Sequence, residues 1–397
     1  MSVTTAVVLA AGEGTRLRPL TRNRPKPMLP AATRPILEHV LDALVEAGLQ
    51  RLVLVVGYRR QRVQEHVGPE YRNVPVEYVT QYKQLGSGHA LAQAREAVSG
   101  SVLVVNGDHL VEAEAVQRVV DRFETDDAPA TLGVIERDDP RGYGAVTLDG
   151  DELVEIVENP ETDAYRLINA GIYVFDETVF ERIEATPRTA GELALTDTIE
   201  RMLERDRVSV SRVGGLWVDA TYPWDLLSVT TSVLDHGRVN LPERRPGVWA
   251  AESAQVHETA TLRPPVAVAA DTEVGPSSVL GPVVAVGRNA TVGANVTVER
   301  SLLDADTRLG NGVTLVDSIC GESVTVGVGV TVPGGPADIQ VDDRVFRGRR
   351  LGAVLADRVQ VGGAATLVPG TLVGPGASVE TGATVDGQVP ENGRVVR

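Results

Sequence analysis

Cysteine is almost absent. Cys320 stands alone among 397 residues, which excludes an internal disulfide and any cysteine-cluster metal site. Lysine is nearly as scarce: of 38 basic residues only Lys26 and Lys83 are lysines, the rest arginines. Net positive charge is missing too. At −16 the chain is no general nucleic-acid binder. No apolar run approaches the roughly 18–20 residues of a membrane-spanning helix. Met1–Thr5 lacks a charged n-region and the apolar Ala6–Ala11 soon meets Gly12 and Glu13, so no signal peptide is expected. These absences predict a soluble cytoplasmic protein, with no nucleic-acid or membrane partner. An acidic, lysine-poor surface suits a high-salt cytoplasm, where self-repulsion is screened; GC-rich coding would produce the same arginine bias.

What is present is enough hydrophobic sequence, 43%, for two or three domains. Residues 1–236 alternate strand and helix patterns. Val3–Leu9 and Arg51–Val56 are apolar, valine-rich runs of the kind buried in parallel sheets. Pro35–Gly48 carries Ile36, Leu37, Val40, Leu41, Leu44 and Val45 at helical spacing, with Gly48 as the stop. Gly88–Val98 reads as a second helix and Val102–Val105 as a strand ending at Asn106-Gly107-Asp108. This order predicts an α/β, Rossmann-like, mostly parallel sheet covered by helices, with ligands beyond the carboxyl ends of its strands.

Residues 237–252, with two prolines and several charges, read as a linker. From 253 to 397 the grammar changes. Val256, Leu262, Val268, Val274, Leu280, Val286, Val292 and Val298 recur every six positions, each preceded two residues earlier by a small or β-branched residue. Leu355, Val361, Leu367, Val373, Val379 and Val385 resume the period after a looser stretch, and residues 333–350 interrupt it as a loop insertion. A hexapeptide period predicts a parallel β-helix, one short strand per repeat. After Trp249 the only aromatic is Phe346, as befits a prism too thin for rings.

The loop Leu9-Ala10-Ala11-Gly12-Glu13-Gly14-Thr15-Arg16 follows the first strand. Its glycines let backbone amides close around phosphate oxygens, although a Gly-x-Gly also serves as a tight strand-to-helix turn. Charge favours the phosphate. Arg16, Arg18, Arg22, Arg24, Lys26 and Arg34 occupy a window with no acid between Gly14 and Leu37, a local reversal of sign suited to a polyphosphate. A lysine kept at position 26, between Pro25 and Pro27, points to a need for a compact ammonium where a guanidinium fork would not fit.

Leu9–Arg16 followed by Arg24-Pro25-Lys26-Pro27-Met28-Leu29-Pro30 resembles the signature of the sugar-1-phosphate nucleotidylyltransferases. Further matches follow in chain order. Gln81 with Leu85-Gly86-Ser87-Gly88-His89-Ala90 resembles the base-recognition segment, and Asn106-Gly107-Asp108 the first metal aspartate. Gly142-Tyr143-Gly144, Glu158 and Asn169 resemble sugar-phosphate-binding positions. Trp217-Val218-Asp219, ahead of Pro223-Trp224-Asp225, resembles the second metal aspartate. The match covers about 230 residues. With the repeats added, the whole chain resembles archaeal proteins that join a uridylyl- or thymidylyltransferase to a left-handed β-helix acetyltransferase domain.

The resemblance implies that a sugar 1-phosphate attacks the α-phosphorus of UTP or dTTP and that pyrophosphate leaves. It implies Mg²⁺ on Asp108 and Asp219, catalytic roles for Arg16 and Lys26, and nucleotide contacts from Leu9, Ala10, Ala11, Gly12, Gly14, Thr15, Gln81, Gly86 and Ser87. Gly144, Glu158 and Asn169 would hold the sugar phosphate. It further implies a homo-oligomer, a trimer or a multiple of one, joined through the β-helix. The uridylyl branch is the nearer match, with glucose 1-phosphate and N-acetylglucosamine 1-phosphate as candidate acceptors. Two departures stand out: Glu158-Asn159-Pro160 where relatives carry Glu-Lys-Pro, and Thr221 where a glycine is common. The family's acetyltransferases use a β-helix histidine base and lysines near the CoA phosphates. This chain has no histidine after His257 and no lysine after Lys83, so a structural β-helix is expected. A bifunctional enzyme and a silent nucleotide-sugar-binding subunit are the alternatives.

Overall fold

The computed structural model describes residues 3–140, 142–158, 160 and 165–397. They fall into two compact units: the described residues of Met1–Glu13, Pro25–Met28 and Ile36–Val218, and those of Gly14–Arg24, Leu29–Pro35 and Asp219–Arg397.

The first unit is built on a ten-stranded sheet. Its strands in chain order are β1 Thr5–Ala10, β2 Arg51–Val56, β3 Glu70–Tyr71, β4 Val74–Thr80, β5 Val102–Asn106, β6 Ala130–Glu136, β7 Gly144–Asp149, β8 Glu152–Glu158, β9 Leu167–Phe175 and β10 Val208–Arg212. They lie side by side in the order β7-β8-β10-β6-β9-β5-β1-β2-β4-β3. Around β1 the pairing is parallel, with β2 and β5 as neighbours. β9 runs antiparallel to both β5 and β6, so the sheet is mixed: β5, β1, β2 and β4 run parallel in the half that carries the glycine loop, and β10 runs parallel to β6 in the other. β1, β2 and β5 are buried on both faces, as their unbroken valine and leucine runs demand.

The helix expected over 35–48 forms at Ile36–Glu46 and buries Leu37, Val40, Leu41 and Leu44. Gly48 ends it at φ +92°, and the Leu49 amide closes back onto the Leu44 carbonyl at 3.1 Å. The helix expected over 88–98 is shorter, Ser87–Gln93. Beyond it the chain tightens into three-residue turns, Ala94 N to Leu91 O and Ala97 N to Ala94 O, both 2.9 Å.

In the second unit, residues from Val248 onward wind into three parallel sheets of nine, eight and seven strands, apart from one antiparallel strand at the first sheet's edge, Glu243–Arg245. This is the β-helix. Val266 lies opposite Val284 and Val274 opposite Val292, a step of 18, or three hexads. The inward aliphatics form one continuous core, and burying each valine contributes about 1.5–3 kcal/mol. Buried hydroxyls at the small positions are satisfied by the next coil: Thr272 Oγ1 donates to Gly287 O at 2.8 Å and Ser278 Oγ to Gly293 O at 2.7 Å. Val284 faces Ser301, a step of 17. One residue lost per coil here is the physical source of the loosened hexad after Val298. The ladder also starts earlier than the linker reading predicts, since Val248–Ala250 already pairs with Val266–Val268. The interruption at 333–350 is an ordered antiparallel hairpin, Pro336–Val341 with Arg344–Arg350.

Candidate active site

Leu9, Ala10 and Ala11 lie at the carboxyl end of β1, between the ends of β2 and β5. Gly107 N donates to Leu9 O at 3.0 Å, and Tyr58 N to Ala11 O at 3.2 Å. Gly12 has open space around it. Gly14 takes φ +69°, and its carbonyl accepts from Thr21 Oγ1 at 2.7 Å. After it the chain makes three short 3₁₀ turns, Thr15–Leu17, Leu20–Arg22 and Lys26–Met28, in place of an α-helix. Thr15 and Arg16 are exposed.

Lys26 and Asp108 come together. Lys26 Nζ stands 2.5 Å from Asp108 Oδ2. Burial alone would raise the Asp108 carboxyl, but Lys26 and then His109 outweigh it and hold it at about 2. Asp108 is therefore an ionised oxygen donor at neutral pH. The Met28 amide bonded to Pro25 O at 2.9 Å and the flanking prolines fix the reach of the ammonium. Lys26→Arg should lower turnover by roughly ten- to a thousandfold, because a hydrated point charge becomes a planar fork. Steady-state kinetics check this, and full activity would reduce Lys26 to one more basic residue.

The six-cation reading needs a correction at Arg24. Its guanidinium is buried and bonded to Asp304 Oδ2 at 2.5 Å and to Asp357 Oδ1. These acids outweigh burial and hold it firmly protonated, so Arg24 is occupied by carboxylates and is not a phosphate ligand.

Gln81 is buried, and its amide nitrogen reaches Gly86 O at 3.1 Å and His89 Nδ1 at 2.9 Å. Burial, then Arg188, pulls the His89 pKa down. Gly86 adopts φ +97°, and a Cβ there would fall 2.4 Å from Leu193 O. Ser87 Oγ accepts from Leu195 N at 2.9 Å. This segment is thus clamped on residues 193–195.

The three sugar-phosphate candidates are adjacent. Gly144 pairs with Glu158 across β7 and β8. A Cβ at Gly144 would stand 3.3 Å from Glu158 Oε1 and 3.6 Å from Asn169 Cβ. Asn169 donates to Tyr173 Oη at 2.6 Å and accepts from Gly171 N at 2.9 Å. The departure at Asn159 lies outside the described residues.

In the second unit, Asp219 opens a tight turn. Thr221 Oγ1 donates to Asp219 Oδ2 at 2.9 Å, a bond the usual glycine would not make. Asp225 Oδ2 accepts from Thr221 N at 3.0 Å and Tyr222 N at 2.7 Å. Burial pushes the Asp225 carboxyl up to about 6, with the two amides and Arg349 opposing and Asp219 adding. Tyr222 stacks on Trp224 at 4.9 Å between centroids, and the Arg16 guanidinium lies 6.0 Å from the Tyr222 ring. Among the described residues no group of three or more His, Cys, Asp or Glu gathers as a metal cage. Magnesium needs none, because one or two carboxylates with phosphate oxygens and water fill its shell, and a carboxylate such as Asp108 or Asp219 is a hard oxygen donor of the kind it takes.

His109 escaped the sequence reading. It stands 3.6 Å from Asp108 and edge-on to Trp217 at 5.2 Å, while Trp217 Nε1 donates to Ala170 O at 2.8 Å. Its place directly after Asp108 was the available signal. Cys320 is buried; burial and then Asp304 push its thiol up to about 12, unfit for general base work near neutrality. A thiol reagent such as DTNB should leave it unmodified in native protein and label it only after denaturation. Rapid native labelling would contradict this burial.

Residues 5–236 match the family model described as nucleotidyl transferase, and residues 262–389 the one described as GMPPB C-terminal domain. The chain is 30% identical to the bifunctional protein GlmU of Methanococcus vannielii, over 99% of this chain and 97% of that one. It is 36% identical to the UTP–glucose-1-phosphate uridylyltransferase AglF of Haloferax volcanii, over 55% of this chain and 92% of AglF. UDP-glucose pyrophosphorylase of Acinetobacter baumanii shares the fold at a TM-score of 0.53 and 24% identity, over 59% of this chain and 94% of that one.

Proposed function

The chain belongs to the nucleotidyl transferase family, and on that footing we propose that it transfers the uridylyl group of UTP to a sugar 1-phosphate, glucose 1-phosphate or N-acetylglucosamine 1-phosphate, releasing pyrophosphate. dTTP is the second candidate donor. The observation that carries the reading is the Lys26–Asp108 pair, 2.5 Å apart at the carboxyl end of the parallel strands. It unites the cation of the basic segment with an ionised carboxylate 82 positions away.

No side-chain nucleophile is needed, because the acceptor phosphate supplies the attacking oxygen. Asp108 and Asp219 would hold magnesium, which would supply positive charge against the repulsion between the two anions. The chain's own residues do the rest. The Lys26 ammonium meets charge building on the α-phosphoryl oxygens. Arg16 and the amides of Gly12–Thr15 hold the departing pyrophosphate. Leu9–Ala11, Gln81, Gly86 and Ser87 frame the nucleotide; Gly144, Glu158 and Asn169 orient the sugar phosphate. The β-helix serves structure and homo-oligomer assembly, without acetyl transfer. A trimer or its multiple, a cytoplasmic location and a preference for high salt complete the reading. No helix among the described residues is long and apolar enough to cross a membrane.

Pyrophosphate release over a grid of nucleoside triphosphates and sugar phosphates tests the assignment. The highest kcat/KM should fall to UTP with a hexose 1-phosphate, and acetyl-CoA with glucosamine 1-phosphate should give only the uncatalysed rate. Nucleotide-sugar binding without release from any pair would favour a silent regulatory subunit.

A further inference from the structure

The hairpin Pro336–Arg350 is an antiparallel insertion into the hexad ladder. It sits between Cys320 and Leu355, which pair directly across the gap it leaves. It also carries Phe346, the only aromatic after Trp249. The Phe346 ring packs against Tyr222, centroids 4.5 Å apart at 54°, and against Trp224, 5.1 Å apart at 56°. Farther along the same strand, the Arg349 guanidinium lies 5.9 Å from the Trp224 ring. The hairpin therefore ends on a ring pair that belongs to the turn after Asp219.

That turn carries its own short-range hydrogen bonds, among them Asp225 N to Tyr222 O at 3.0 Å. Asp219 is oriented by Thr221 Oγ1, and the Thr221 and Tyr222 amides are tied to Asp225. Tyr222 and Trp224 project from this stretch, and Arg16 leans on the outer member of the stack. A third ring set at an angle against both keeps the stack from sliding, by the edge-to-face preference of aromatic quadrupoles. The cation against Trp224 adds to the clamp.

We propose that Phe346 and Arg349 are positioning residues: the hairpin braces the Asp219–Asp225 turn, and through the rings of Tyr222 and Trp224 it sets the geometry of Asp219 and Arg16. The roles given to Asp219 and Arg16 rest on the function proposed above; the brace itself is a property of the turn.

The test compares full-length protein with Phe346→Ala, Phe346→Tyr and Arg349→Gln. Val345→Ala, at an exposed position beside Phe346, is the control. Hydrogen exchange at the Thr221 and Tyr222 amides is the first readout. In Phe346→Ala these amides should exchange at least about tenfold faster while β-helix amides keep their protection. Mn²⁺ binding in the presence of UTP, followed by EPR, should weaken by at least about fivefold, with kcat falling more than the sugar-phosphate KM rises. Phe346→Tyr should restore all three, Arg349→Gln should show a smaller shift in the same direction, and the control should match wild type. Unchanged amide protection in Phe346→Ala overturns the brace, as does a deficit that tyrosine fails to rescue. Undiminished Mn²⁺ binding by Asp219→Asn, with the amide result intact, would overturn instead the metal role of Asp219.

Discussion

Asp108→Asn is expected to cut turnover by at least about a hundredfold while leaving the fold intact. The residue does two jobs at once. As an ionised carboxylate it is a hard oxygen donor, and as the partner of Lys26 it fixes where the ammonium stands. Asparagine keeps the shape and removes the charge, so both are lost together. Asp219→Asn should fall at least as far as the donor role alone dictates, again about a hundredfold. Kinetics at saturating Mg²⁺, with near-ultraviolet circular dichroism to show intact packing, check both. Near-normal rates in either variant would remove that residue from the site.

The second large effect concerns Arg24. Replacing it by methionine leaves Asp357, buried, and Asp304, partly buried, without their cation. Breaking a buried pair in this way costs about 3–5 kcal/mol, against surface ion pairs worth about 0–1. Urea unfolding of the full chain should show the loss, with Asp357→Asn following in the same direction. A change below about 1 kcal/mol would mean that solvent or rearrangement satisfies the acids. The measurement belongs at low and high salt, because exposed charge is screened and this buried triad is screened much less.

Much of this architecture is local in sequence and was legible there. The six-residue period needs only neighbouring repeats, and it located the β-helix core from Val256 to Val385. Its lapses after Val298 mark coils one residue short. Likewise β2 and the Ile36–Glu46 helix follow from the order of apolar residues alone. The glycine loop, Lys26 and Asp108 stood out as members of the resembled motifs, and the structure brings Lys26 and Asp108 together.

The rest depends on partners far apart in the chain. Arg24 looks like one more cation of the basic window until Asp304 and Asp357 are seen beside it, 280 and 333 positions away. Ser87 has the composition of a base-recognition loop, yet its hydroxyl accepts from Leu195. Phe346 stands out only as an anomaly in a repeat without rings, and its meaning comes from Tyr222 and Trp224. The antiparallel pairing of β9 with β5 and β6 was hidden too, because a strand buried on both faces reads the same whichever way its neighbour runs.

The central claim, that this chain joins a nucleotide to a sugar 1-phosphate, is tested most directly with UTP radiolabelled at the α-phosphorus. Full-length protein, Mg²⁺ and glucose 1-phosphate or N-acetylglucosamine 1-phosphate should give label in a nucleotide sugar, with one pyrophosphate released per molecule formed. The Asp108→Asn protein should leave the label in UTP. Label that stays in UTP with the wild-type protein, at low and high salt and with both sugar phosphates, would contradict the claim.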